Sequence, residues 1–224
     1  MLICAFLLDC PADVTPEVAI FAGGCFWGVQ HTFLKHYPPS QNKGILTTAV
    51  GFAGVNPNDP SYRGGSSGSR SRAEAVRIEF DPNVVSYAEL VGEFTINAIL
   101  YEVDKRLIAT SEFFYRTHDP TTSNGQGNDH GAGEFIHLRL SSSGLSPRSL
   151  PEYRSAIFYN SPAQRDTAQR VTEEVQKKHF DPHGTKIVTQ IAEVGKWSES
   201  QEYHQLYLFK NPAGYHCYTH TLHW

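Results

Sequence analysis

The chain has 224 residues, a length that favours one domain with a substantial buried core. Its 19 Lys and Arg against 23 Asp and Glu leave a net charge of −4, which gives no reason to expect nucleic acid or an anionic membrane as partner. The cysteines include no CxxC pair, which argues against a zinc ribbon or a thioredoxin-type motif; they are Cys4, Cys10, Cys25 and Cys217.

The N-terminal apolar run 2–8 is too short to span a bilayer, and no Lys or Arg precedes it as in a signal peptide. We therefore predict a cytoplasmic monomer without a membrane partner, with the mitochondrion as the alternative compartment. Residues 1–17 are interpreted as an N-terminal extension, and residues 18–224 as one domain.

The first strong motif is a glycine turn that carries a cysteine. The apolar run 18–22 predicts a strand, and the GGCFWG sequence at 23–28 then predicts a turn and a helix start. Unpaired N–H groups and the helix dipole at such a position favour a thiolate, so we expect a lowered pKa and a nucleophilic Cys25. The alternative is a small structural cysteine packed beside two aromatic residues. Phe26 and Trp27 could form a pocket for a small apolar group.

The following segments alternate between regular elements and a long loop. A helix is predicted over 29–36, ended by the proline pair at 38 and 39, and a strand over 45–50. The Gly-, Pro-, Asn- and Ser-rich stretch 51–68 predicts an irregular loop that contains Tyr62, and loops of this length are often functional.

A carboxylate lies in the next predicted strand, 74–80. Because side chains alternate across a strand, Glu74 shares a face with the apolar side chains of Val76, Ile78 and Phe80. A carboxyl group on an apolar face is costly to ionise, so Glu74 is a candidate protonated donor near neutral pH. The alternative is that Glu74 reaches solvent at the edge of the sheet.

The C-terminal half contains further turn, helix and strand signals. The sequence NDHG around Asp129 predicts a turn whose side chains can orient a neighbour. Ser161 and a following proline predict a helix that continues to about His179. Residues 187–191 predict a strand, and the tail 203–224 is rich in His and Tyr.

These residues suggest a specific chemistry. A thiolate can attack the sulfur of a sulfoxide, and a neutral carboxyl group and phenols can protonate or hydrogen-bond the leaving oxygen. The cysteine then becomes a sulfenic acid, which a second cysteine converts into a disulfide that an external dithiol reduces. Cys217, in the Gly-containing tail, is the candidate second cysteine.

Taken together, the motifs resemble the A-class peptide methionine sulfoxide reductases over most of residues 18–217. The resemblance rests on these segments: GCFWG at Cys25, NPNDPSY ending at Tyr62, AEAV around Glu74, GQGNDHG around Asp129, YRSAIF from Tyr153, and YHQLYLFKNPAGY ending at Tyr215.

The resemblance implies a role for each of these residues. Cys25 would be the nucleophile and Cys217 the resolving cysteine. Phe26 and Trp27 would form the wall for the substrate methyl group. Tyr62, Glu74 and Tyr153 would donate hydrogen bonds to the sulfoxide oxygen, with Glu74 as the proton donor. Asp129 would organise the pocket, and Tyr215 would lie beside the tail cysteine.

The resemblance also implies a fold and a reductant. The expected fold is α+β, with a ferredoxin-like core, a central mixed β-sheet with flanking helices, and a long irregular C-terminal tail. The substrate would be the S epimer of methionine sulfoxide, free or in oxidised proteins. Thioredoxin would act as external reductant, and no cofactor or metal is expected.

Two segments depart from the family pattern, 93–111 and 132–150. Each is foreign in composition and is flanked by intact motif, so we interpret both as insertions of translated intron or of another coding error. One alternative hypothesis is therefore an inactive homologue that binds oxidised methionine without turnover. A second is a metal-binding protein that uses tail residues as ligands: His216, Cys217, His220 and His223.

Overall fold

The computed structural model describes residues 15–55, 72–92, 113–123, 125–126, 153–216, 220 and 222–224. The strands in these ranges are β1 (Glu17–Gly23), β2 (Ile45–Val55), β3 (Arg72–Phe80), β4 (Ser155–Tyr159) and β5 (Gln190–Glu199). The α-helices are α1 (Phe26–His36), α2 (Tyr87–Val91), α3 (Phe113–Arg116), α4 (Pro162–Val175) and α5 (Tyr207–Lys210). In these ranges no helix combines the length and the apolar character that crossing a bilayer requires.

The strands form one mixed sheet that closes on itself. Their order is β1-β3-β2-β5-β4, and β4 returns to pair with β1. The β4–β5 pair is parallel, and the other four pairs are antiparallel. The predicted mixed sheet with flanking helices is confirmed, whereas its closure into a barrel was not anticipated.

The two faces of the sheet carry two different cores. One cluster contains strand residues alone and is dominated by alanine, which suits the narrow interior of a five-stranded barrel: Ile20, Ala22, Ala53, Val55, Ala73, Ala75, Ala156, Phe158 and Ala192. The other cluster joins the outer faces of β1, β2 and β3 to helices α1 to α4 through larger side chains, among them Phe21, Phe33, Ile78, Leu90 and Phe114.

Local signals explain where two helices begin. Ser161 accepts a hydrogen bond from the backbone N–H of Gln164, and Pro162 occupies the first position of α4, so the predicted helix start is confirmed. Helix α1 begins at Phe26, inside the predicted helix-start motif 23–28 and three residues before the segment 29–36 that was predicted as helical. Cys25 is thus the residue that directly precedes the helix.

Two strand predictions were wrong in their bounds. Strand β2 runs to Val55, although the sequence from Gly51 onwards predicted a loop. A Cβ at Gly51 would lie 2.5 Å from the Ser198 carbonyl oxygen, so this glycine permits close approach of β5 and does not form a turn. Strand β5 begins at Gln190 and not at Ile187, because the Ile187 N–H donates to the Gln176 side chain instead of joining the sheet.

The tail is less irregular than predicted, because it contains α5 and a 3-10 turn at Glu202–His204. The proposed insertions, 93–111 and 132–150, lie outside the described residues, as does most of the N-terminal extension.

A buried histidine just after α3 makes the free energy of unfolding depend on pH. His118 is fully buried; its Nδ1 lies 3.0 Å from the Phe114 carbonyl oxygen and its Nε2 lies 2.6 Å from the Ser155 hydroxyl. Because a carbonyl only accepts, Nδ1 carries the hydrogen and Nε2 accepts from Ser155. Loss of solvation lowers the pKa of His118 from 6.5 to about 3.

We therefore expect stability to fall as the pH drops from 6.5 towards 3. In that window the unfolded chain binds a proton that the folded chain does not, which costs up to about 1.4 kcal/mol per pH unit. Urea unfolding of the wild type and His118→Asn measures this, because the variant should lose that part of the slope. A matched His183→Asn change, at an exposed position, should retain the slope; equal slopes in all three proteins would refute the expectation.

Candidate active site

Cys25 lies between the end of β1 and the first turn of α1. Gly24 adopts a φ of +96°, which L side chains rarely adopt, and this turns the chain from strand to helix. The Cys25 carbonyl oxygen accepts hydrogen bonds from the backbone N–H of Gly28 at 3.2 Å and of Val29 at 3.3 Å. The side chain is a free thiol and is only 4% exposed. The predicted position at a helix start is confirmed.

Glu74 reaches this helix start from β3. Its Oε2 accepts a hydrogen bond of 3.1 Å from the backbone N–H of Phe26, the first residue of α1. This contact confirms that Glu74 points to the helix-covered face of the sheet, together with Val76 and Ile78. The carboxyl group therefore binds the peptide group that joins Cys25 to Phe26. It accepts a hydrogen bond from an N–H that has no partner within the helix.

Tyr153 and Trp27 pack directly around the thiol. Tyr153 is 8% exposed and forms a small cluster with Cys25, against which the half-buried Trp27 packs. The chain thus brings together four of the predicted site residues from three separate regions. Their sequence separation shows that the arrangement depends on the fold and not on local structure.

The two aromatic residues that follow the cysteine have different environments. Phe26 is 3% exposed and belongs to the core, where its ring lies 5.9 Å from that of Phe52. The Trp27 ring stacks on Tyr207 at 3.9 Å, with 14° between the planes. Its Nε1–H donates to His204 Nδ1 at 3.1 Å, and burial lowers the pKa of His204. The Trp27 ring is therefore held from two sides.

Tyr207 and His204 were not singled out by the sequence analysis. Both lie in the His- and Tyr-rich tail, whose composition alone did not distinguish ring-packing residues from solvated ones. The stacked pair and the hydrogen bond arise because α5 packs against α1.

Two glycines of the motif make room for side chains from distant segments. A Cβ at Gly24 would lie 2.7 Å from Cγ of Gln126, and a Cβ at Gly28 would overlap Nδ1 and Cγ of the His220 ring. Gln126 is fully buried and bonds both the N–H and the carbonyl of Asp119. The glycines therefore bring a loop and the C-terminal segment against the Cys25 turn.

Tyr215 is 36% exposed and follows Gly214, which packs closely on Tyr207. This packing connects the segment of Tyr215 to the ring that supports Trp27. The remaining predicted residues, Tyr62, Asp129 and Cys217, lie outside the described residues.

The metal-binding alternative finds no support in the part of the chain that the structure describes. That part contains no group of three or more His, Cys, Asp or Glu side chains that could hold a metal ion. His216 Nε2 bonds the Pro212 carbonyl oxygen and His220 Nε2 bonds the Gly23 carbonyl oxygen, so the two rings engage different parts of the backbone.

A cavity of about 370 Å³ lies away from this site, between β1, α2 and α4. Its lining includes Val18, Tyr87 and Gln164 and none of the residues around Cys25. We therefore assign the candidate site by its chemistry and not by cavity size.

A buried thiol at a helix start, with phenol, indole and carboxyl groups around it, defines a cysteine-based redox or transfer site. The family model of peptide methionine sulfoxide reductase matches residues 17–134 and 147–223. The chain belongs to this family.

Individual relatives agree with this assignment. A protein of Schizosaccharomyces pombe, described as a probable peptide methionine sulfoxide reductase, is 41% identical over 208 residues, which covers 93% of this chain and 97% of the relative. Mxr1 from Saccharomyces cerevisiae, solved in reduced form, aligns with a TM-score of 0.63 at 30% identity over 96% of this chain and 95% of Mxr1. Mxr1 solved in complex with Trx2 aligns with a TM-score of 0.52 at 22% identity, over 98% and 96% of the two chains.

Proposed function

We propose that this chain reduces the S epimer of methionine sulfoxide, free or in oxidised proteins, to methionine, as a peptide-methionine (S)-S-oxide reductase with a disulfide as acceptor. The packing of Cys25 against Tyr153 and Trp27, beside the carboxyl group of Glu74, is the observation that carries the proposal. Family membership supports the same reaction class.

The first step is attack of the Cys25 thiolate on the sulfoxide sulfur. The oxygen is transferred to the cysteine, methionine leaves, and Cys25 becomes a sulfenic acid. Negative charge builds on the oxygen during the attack, so donors near the thiol lower the barrier. Glu74 would supply the proton, and Tyr153 and Tyr62 would hydrogen-bond the oxygen.

The aromatic residues would bind the substrate methyl group. Phe26 and Trp27 adjoin the cysteine, and the stacking of Trp27 on Tyr207 fixes one side of this wall. Asp129 would organise the pocket, and Tyr215 would lie beside the resolving cysteine. These roles rest on the family resemblance together with the positions of Phe26 and Trp27.

The second step would return the enzyme to its reduced form. Cys217 attacks the sulfenic sulfur of Cys25, water leaves, and a disulfide forms that thioredoxin reduces. The yeast relative Mxr1, which has been solved in complex with Trx2, supports thioredoxin as the partner. The oxidising equivalents pass through cysteine thiols, so this scheme needs no bound cofactor.

We also propose a fold type, two insertions and a cellular compartment for this chain. The order β4-β1-β3-β2 within the barrel, with α1 between β1 and β2, supports a ferredoxin-like core to which β5 is added. The break in the family match, 135–146, falls inside the second proposed insertion, whereas the match runs through 93–111. A cytoplasmic address, with the mitochondrion as alternative, stays a prediction.

A thioredoxin-coupled assay with separated S and R epimers of a protected methionine sulfoxide tests the function. We expect turnover of the S epimer alone. The same assay on a chain lacking 93–111 and 132–150 shows whether these segments affect activity. Failure of both chains to reduce the S epimer, in a preparation shown to be folded, would refute the proposal.

The bond between Trp27 and His204 predicts that substrate affinity depends on pH. Nδ1 of His204 accepts this bond only when the ring is neutral. Burial lowers the pKa of His204 below its usual 6.5, so the bond is intact at neutral pH and is lost as the pH falls through this lowered pKa. We expect the KM for the S epimer to rise about fivefold on acidification, as for a lost hydrogen bond of ~1 kcal/mol.

Two variants separate this effect from other titrations. His204→Gln retains a carbonyl acceptor that does not titrate, so its KM should stay flat over the same pH range. His183→Gln, at an exposed position away from Trp27, should retain the wild-type rise. An unchanged rise in His204→Gln would show that another group controls binding.

A further inference from the structure

The described C-terminal residues are anchored to the Cys25 turn by one histidine. His220 Nε2–H donates to the Gly23 carbonyl oxygen at 2.9 Å, and the ring occupies the space that a side chain at residue 28 would fill. His220 Nε2 also lies 3.3 Å from the position of a Cβ at Gly24. The ring therefore contacts the chain on both sides of Cys25 in sequence.

The His220 ring packs on Gly28, in the first turn of α1. The Gly28 N–H donates to the Cys25 carbonyl oxygen at 3.2 Å, so the backbones of these two residues are in direct contact. Because Gly28 has no side chain, the His220 ring can occupy this space.

Other contacts hold the residues that follow His220. The His223 N–H donates to the Arg116 carbonyl oxygen at 3.0 Å. The Trp224 ring stacks on His179 at 4.7 Å and meets Phe180 edge-on at 5.6 Å. Residues 223 and 224 thus contact α3 and the turn after α4, whereas His220 contacts the Cys25 turn itself.

The chain length limits how far Cys217 can lie from this anchor. Cys217 and His220 are three positions apart in the sequence, and an extended chain spans at most about 3.6 Å per residue, so their Cα atoms are at most about 11 Å apart. An anchor at this distance raises the effective concentration of one thiol near the other.

We propose that His220 is a positioning residue that holds the C-terminal segment on the Cys25 turn so that Cys217 attacks the oxidised cysteine. This inference rests on the function proposed above. In the assisted step the Cys217 thiolate attacks the sulfenic sulfur, the S–S bond forms, and the S–O bond breaks. The oxygen leaves as water after taking a proton, and no further oxidant or reductant enters.

The test separates the two chemical steps in rapid-quench experiments without reductant. Methionine released from the S epimer reports the attack by Cys25. Peptide mapping of alkylated samples reports formation of the Cys25–Cys217 disulfide. In His220→Ala we expect disulfide formation to slow at least tenfold, while the methionine burst keeps its amplitude and stays within twofold of its rate.

Two further variants control for a merely structural effect. His220→Gln retains an N–H that can donate to the Gly23 carbonyl, and it should restore disulfide formation to within threefold of the wild type. Gly28→Ala should displace the ring and slow disulfide formation, and adding His220→Ala should slow it no further, since the two changes break the same contact.

The outcomes distinguish this inference from the proposed function. Absence of any methionine burst in the wild type would overturn the proposed function itself. A normal burst with an undiminished rate of disulfide formation in His220→Ala would overturn the role of His220 alone. An equal slowing of both steps would also overturn it, because His220 would then only support the fold of the Cys25 turn.

Discussion

Cys25→Ser is expected to abolish reduction of methionine sulfoxide, both in steady state and in a single turnover. Serine keeps the size of the side chain and its place before α1, but its hydroxyl is not ionised near neutral pH and forms no disulfide. Folding should be retained, because the carbonyl of residue 25, and not its side chain, accepts the first hydrogen bonds of α1.

The measurement is methionine released per enzyme from the S epimer, with thermal unfolding as control for the fold. We expect no release above the reagent background from Cys25→Ser. A matched Thr48→Ser change in β2 should keep full activity, since serine retains the hydroxyl that accepts a hydrogen bond from the Gln30 side chain. Release of one equivalent by folded Cys25→Ser would mean that another cysteine is the nucleophile.

Glu74→Gln should lower the rate of the first chemical step by a factor of about 10² to 10⁴, the usual range for loss of a general acid. The Gln carbonyl can still accept the Phe26 N–H, so the helix start should persist. The amide, however, has no proton to transfer to the leaving oxygen. The expected loss is therefore in kcat, with a smaller change in KM.

Single-turnover rates of methionine release measure this effect directly. Glu79→Gln is the matched control, because Glu79 lies on the same strand but pairs with Arg77 at 2.6 Å on the opposite face. We expect the control to react at the wild-type rate. A full rate in Glu74→Gln would assign proton donation to a different residue.

The local parts of the site could be predicted from sequence. The strand, glycine turn and helix around Cys25 follow from a short apolar run and two glycines, and the period of β3 puts Glu74 on the helix-covered face. The hydrogen bond from Phe26 to Glu74 joins residues 48 positions apart. It depends on the pairing of β1 with β3, which no local pattern specifies.

The misplaced elements and missed residues have a common physical origin. Gly51 indicated a turn in the sequence, yet its role is close packing of β2 against β5. His204 and His220 looked like members of a polar tail, but one bonds the indole of Trp27 and the other bonds the turn before Cys25. In each case a partner far along the chain determines what the residue does.

Stoichiometric reaction of the reduced protein with the S epimer, in the absence of any reductant, tests the central claim most directly. We predict one equivalent of methionine and a Cys25–Cys217 disulfide in the wild type, and one equivalent without this disulfide in Cys217→Ser, which thioredoxin should not recycle. No methionine from the folded wild type, or full recycling of Cys217→Ser by thioredoxin, would contradict it.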